Sequence, residues 1–208
     1  MAETMVREFQ ERTGIGVDGK IGKQTAKKIQ EVFNLEYPWM MLGQMEVESA
    51  SFTAARENGN YSSKQLKKVF SYYANRPAEA DEDQRKEKVI FNKVYADKNR
   101  KKGYELGNTQ PEDGWYFRGN GGLGLTGRRN HKRFENWLVE QGLCNPNDIM
   151  LNPDLVWQKF YFESAYWFFL DNNLLNITDV KTLSKRVNGT EIHLDERKAA
   201  TEKYRKMF

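Results

Sequence analysis

With 33 Lys and Arg against 29 Asp and Glu in 208 residues, the chain carries a formal net charge of only +4, an excess too small and too dispersed to choose among nucleic acid, phospholipid and cell-wall polymers. Five Trp, ten Tyr and twelve Phe supply the apolar surface of a real core and exclude a disordered chain. The single Cys144 excludes an internal disulfide and a four-cysteine zinc site, and His131 and His193 lie far apart in the sequence, so neither metal nor cofactor is expected.

The first residues, "MAETMVREFQ", lack the basic and apolar regions of a signal peptide, and no apolar run approaches the roughly 18 residues of a membrane span. A soluble, monomeric chain made in the cytoplasm is expected, without membrane insertion. Charges of both signs are mixed along the predicted helices, which argues against nucleic acid as a partner. In "VREFQERTGIGVDGKIGKQTAKKI", Asp18-Gly19 predicts a turn between two short helices, the first turning Val6 and Phe9 inward and the second Ile29, Val32 and Phe33. Pro38 stands where a first helical residue would, ahead of "WMMLGQMEVES". Ser62 and Gln65 form a capping box before "LKKVF". Further helical patterns run through "EKVIFNKVY", "KRFENWLVE" and "DERKAATEKYRKM", and Asn152 with Pro153 is expected to cap one aromatic helix, "DLVWQKFYFESAYWFFL". That helix is apolar around most of its circumference and predicts core. No alternating strand pattern rivals these segments, so the fold class is mainly α, with a glycine loop and a small hairpin as its irregular part.

Two acids stand out. On a helical wheel Glu48 falls among Met41, Met45 and Phe52, while Glu46 lies opposite with Trp39. Burial on that face would raise the carboxyl pKa, as a general acid requires; pairing with a basic residue is the other reading of the same position. Glu57 follows nine residues later, and a single helix through both would set them on opposite faces, so the helix must end between them. "ENGNYS" is the expected stop, through Asn58, Gly59 and Asn60.

The glycine loop "WYFRGNGGLGLTGRRNH" fits a dinucleotide fingerprint at Gly119, Gly121 and Gly124. The charged run "EDGWYFRG" before it is no buried strand, and the nucleotide reading fails on that context.

Three blocks carry a more specific signal. "GQMEVESASFTAARENGNYS", "ELGNTQPEDGWYFRGNGGLGLTGRRNHKRF" and "VNGTEIHLDERKAATEKY" resemble, in the same order, conserved segments of glycoside hydrolase family 19, and by pattern the disulfide-free phage endolysins within it. The resemblance implies a lysozyme-like helical fold in two lobes and inverting hydrolysis of a β-1,4 glycan. It places Glu48 at the family's general acid, Glu57 at the carboxylate that activates water and Thr126 at the hydroxyl that holds that water. It implies substrate contacts for Trp115, Tyr116, Arg118, Asn130, Asn188 and Arg197; structural roles, as turn formers and a helix-start ion pair, are the alternative for the last three. Asn120, Gly124, Val47 and His131 depart from the family's pattern.

Residues 1–34 are similar to the second half of a peptidoglycan-binding repeat, leaving 35–208 as the catalytic part. Together the two resemblances imply peptidoglycan strands as partner and the cell wall as the place of action, reached from the host cytoplasm through a separate release factor. Chitin, and a non-catalytic glycan-binding or virion structural role, are the alternatives.

Overall fold

The computed structural model describes the backbone of residues 2–54 and 56–208, with side chains from Thr4 onward. Among these, fourteen α-helices follow one another: α1 (Ala2–Arg12), α2 (Lys23–Phe33), α3 (Pro38–Glu48), α4 (Ser63–Val69), α5 (Ser71–Ala74), α6 (Pro77–Asp83), α7 (Glu87–Val94), α8 (Asp113–Tyr116), α9 (Arg128–Glu140), α10 (Asp148–Leu151), α11 (Leu155–Gln158), α12 (Tyr161–Asp171), α13 (Val180–Asn188) and α14 (Leu194–Arg205). The mainly α class read from the sequence is the observed one. The expected hairpin reduces to isolated bridges, Arg56 to Asn120 and Asn120 to Leu125.

The chain forms two compact units. The first comprises Met1–Ala55, Gly121–Leu123 and Asp154–Phe208; the second comprises Arg56–Asn120 and Gly124–Pro153.

In the first unit the aromatic segment is core, as its composition predicts, but it is two helices. The break falls at Lys159 and Phe160, and the residue before α11 is Asp154 rather than Asn152, its carboxylate taking the Trp157 indole N–H at 3.0 Å. Helices α1 and α2 pack into the same core through Met5, Val6, Phe9, Ala26, Ile29 and Phe33. Phe9 meets Phe162 edge-on at 4.8 Å, Phe33 stacks on Tyr166 at 4.9 Å, and Arg12 donates to the buried Glu163 at 2.6 Å. Val6, Phe9, Ile29 and Phe33 point inward as expected. Val32 does not: it is 43 % exposed, one residue round the helix from the buried stripe. α14 packs along α3.

The second unit gathers Leu66, Tyr73, Ile90 and Phe91 into a smaller core. The Ser62 capping box is present, with Ser62 accepting from the Gln65 N–H and the Gln65 side chain from the Ser62 N–H. Asn108 and Asp113, both buried, tie its loops together. Asn108 donates to the Tyr95 carbonyl and accepts from the Arg128 N–H, while Asp113 takes a two-pronged ion pair from Arg128.

No helix among the described residues is long and apolar enough to cross a membrane. Phe9 is fully buried among aromatic rings, so Phe9→Ala is expected to cost about 3–5 kcal/mol of stability, read from urea unfolding of the whole chain. A cost below about 1 kcal/mol would show that α1 adds little to this core.

Candidate active site

α3 ends at Glu48 itself, earlier than the Asn58–Asn60 stop expected from the sequence. Ser49 closes it, its hydroxyl donating to the Met45 carbonyl and accepting from the Phe52 N–H. Ala50, Ser51 and Phe52 then take left-handed φ values of 47°, 60° and 62°. Such a run costs each non-glycine residue on the order of 1 kcal/mol and turns the chain sharply away from the helix axis.

Glu48 is not buried. Its side chain keeps 30 % exposure because the helix ends beneath it, while Met45 and Met41, one and two turns back, are enclosed. The pairing reading is the one observed: Arg197, buried on α14, donates to Glu48 at 2.5 Å and to Gln44 at 2.5 Å. Gln44 lies one helical turn before Glu48, on the same face. Glu46, on another face, accepts from Lys203 at 2.7 Å and from the Tyr204 hydroxyl at 2.5 Å.

In the second unit Glu57, Thr126 and Gly119 come together. The Tyr95 hydroxyl is 2.7 and 2.9 Å from the two Glu57 carboxylate oxygens, and the Gly119 N–H donates to one of them at 3.3 Å. A methyl group on Gly119 would sit 3.2 Å from Glu57 Oε2 and 3.6 Å from Thr126 Oγ1. Carboxylate and hydroxyl therefore flank a bare Cα. The Thr126 hydroxyl donates to the Gly124 carbonyl at 2.7 Å, and Asn130 donates to the Thr126 carbonyl at 2.9 Å. Burial pushes the Glu57 carboxyl above the ordinary carboxylate range, against the opposing hydrogen bonds from Tyr95 and Gly119 and the charge of Arg118.

The remaining candidates divide. Arg118 is buried with its guanidinium 3.5 Å from the Trp115 ring centroid, and it donates to the Trp115 carbonyl at 2.7 Å. Trp115 stacks on Phe91. Tyr116, 49 % exposed, offers its ring to solvent. Asn188, in the first unit, accepts from the Thr190 N–H at 2.8 Å, the turn-forming alternative for that residue. Gly121 brings its backbone close to α11 and α12: a side chain there would collide with Val156 and Ser164. His131, an aromatic position in the family pattern, is wholly buried beside Phe117, and burial lowers its pKa to about 4.

Tyr95 and Gln44 were not singled out in the sequence. Gln44 carries a readable signal in its spacing of four from Glu48. Tyr95, 38 residues from Glu57, carries none. Among the described residues no group of three or more His, Cys, Asp or Glu side chains could hold a metal ion.

Over 160 residues the chain is 32 % identical to a Haemophilus influenzae protein described as a glycosyl hydrolase family 19 domain-containing protein, a span covering 76 % of this chain and 73 % of that protein. The chain belongs to glycosyl hydrolase family 19. No family model matches it.

The folded-state pKa of Glu57 lies above its unfolded value, so the neutral side chain suits the fold. The resulting stability is complete below the unfolded pKa of about 4.3 and is lost as pH rises through the folded value. Glu57→Gln, permanently neutral, is expected to melt above the native chain at about pH 7 and level with it near pH 3.5. Melting below the native chain at neutral pH would reverse the assigned direction.

Proposed function

We propose that the chain hydrolyses β-1,4 glycosidic bonds of bacterial peptidoglycan by an inverting, two-carboxylate mechanism, as an endolysin. Family membership supports glycan hydrolysis. The observation that carries the mechanism is the grouping of the Glu57 carboxylate and the Thr126 hydroxyl about the bare Cα of Gly119.

In this reading Glu48 gives its proton to the leaving oxygen, and Glu57 takes one from the water that attacks the anomeric carbon. A carboxyl raised above the ordinary range is the stronger base near neutral pH, since proton transfer is most effective when the catalytic pKa approaches the working pH. Tyr95 orients the carboxylate through both oxygens, and Thr126 holds the water. Arg197 fixes Glu48 at the end of α3. Trp115, Tyr116 and Asn130 are assigned to the sugar, with Arg118 holding the Trp115 ring. The chain acts as a monomer on the wall after release from the host cytoplasm.

Inversion demands carboxyls roughly 6.5–9.5 Å apart with room for water, and a covalent route about 5–5.5 Å. In the inverting reading the product is expected first as the α anomer, seen by proton NMR of an N-acetylated oligosaccharide before mutarotation. Initial β product would make Glu57 a nucleophile. Loss of turbidity of purified walls should fall about a hundredfold or more in Glu48→Gln and persist in Glu46→Gln, with near-UV circular dichroism confirming that each variant is folded. Near-native lysis by folded Glu48→Gln would remove it as the acid. Thr126→Ser should retain much activity and Thr126→Val lose most of it; equal activity would leave Thr126 a packing residue.

A further inference from the structure

The second unit contains a cavity of about 580 Å³ that none of the assignments above uses. It is bordered by Phe70, Tyr72, Tyr95, Arg100, Lys101 and Tyr104. Its size is that of a small-ligand pocket, and aromatic rings with a few placed polar groups are the usual lining of such a site. Tyr104 keeps 68 % of its surface in solvent, a large exposed ring at the rim. Among the described residues no carboxylate borders the cavity.

The cations differ in how they are held. Arg76, also at the edge, is already engaged, lying over the Tyr72 ring at 4.3 Å with Glu79 3.6 Å away. Arg100 is fixed by carbonyls alone: Nε donates to Tyr104 at 2.5 Å and Nη1 to Val94 at 3.4 Å. Among the described residues no carboxylate pairs with Arg100 or with the exposed Lys101. A guanidinium preset by carbonyls keeps its remaining N–H groups for a ligand and has lost little freedom still to lose. Two uncompensated cations beside aromatic rings suit a sugar that carries a carboxylate; a neutral N-acetylglucosamine polymer offers them no charged partner.

We propose that this cavity is a subsite for the carboxylate-bearing sugar of the glycan, with the carboxylate on Arg100 and Lys101 and the pyranose against the Tyr72 and Tyr104 rings. The inference rests on the glycan-hydrolase reading and narrows it to a polymer containing N-acetylmuramic acid rather than chitin. Tyr95 both borders the cavity and holds Glu57, which sets the subsite one side chain from the candidate base.

The test is calorimetric titration of the full chain with N-acetylmuramic acid and with its methyl ester. The acid is expected to bind about tenfold more tightly, with the difference shrinking as salt rises. Arg100→Gln/Lys101→Gln should abolish the preference and Arg100→Lys keep most of it. Lys101→Gln alone, at an exposed position, gives a reading should the double variant fail to fold, and should reduce the preference severalfold. Equal binding of acid and ester by the native chain overturns the proposal, as does a preference undiminished in the variants. Two disaccharides separate the sources of charge, one with a free lactyl carboxylate and one with that group amide-linked to a peptide stem. Tight binding of the first alone assigns the lactyl group, tight binding of the second assigns the stem, and weak binding of both overturns the subsite. Wall hydrolysis measured in parallel separates the two failures. Hydrolysis without acid preference removes the subsite and keeps the reaction; acid preference without hydrolysis of any N-acetylated glycan does the reverse.

Discussion

Arg197 is a full positive charge with almost no access to water, and a guanidinium cannot shed its proton to escape that cost. Removing such an ion from water costs several kcal/mol unless partners surround it. Gln44 and Glu48 are those partners, one turn apart on α3, and they tie α14 to it. The arrangement explains how Glu48 is held although it is partly exposed at a helix end. It also links two segments nearly 150 residues apart in the sequence. In the first unit the position of the proposed acid is thus a consequence of burying a cation behind it.

Glu57 is held by the opposite means. Its carboxylate accepts hydrogen bonds from a phenol and a backbone amide, both neutral, and the charge of Arg118 favours its ionised form. One carboxylate is set against a guanidinium and the other among neutral donors, two different environments. Gly119 completes the second environment, since any side chain there would press on Glu57.

The helical architecture was legible because local chemistry and periodicity agree. Pro38 opens α3, Ser62 and Gln65 cap α4, and the aromatic segment is buried. The end of α3 was misplaced because nothing in "SASFTA" forbids helix; three left-handed residues there answer to tertiary packing rather than to propensity. The split at Lys159 and Phe160 is of the same kind, lacking the glycine or proline that would announce it. At the candidate site, Glu48 was seen as an acid beside apolar residues. A helical wheel assumes that the helix continues, so it could not show that the acid lies on the last turn and in part outside the core. Tyr95 was invisible because its role arises from contact across 38 residues.

The order in which the chain visits its two units limits what can be done with either. The first unit is assembled from three stretches, the shortest only Gly121–Leu123, and that short stretch interrupts the second unit. Ser164 accepts a hydrogen bond from Gly122 within the first unit, so the three-residue insertion is bonded there and is not a free linker. Neither unit is a continuous cassette. A gene fragment ending anywhere between residues 56 and 153 leaves the first unit without α11 to α14, and one encoding 56–153 alone carries an orphaned piece of the first. An exchange of whole modules therefore has no single joint in the chain: moving either unit takes cuts at residues 55/56, 120/121, 123/124 and 153/154.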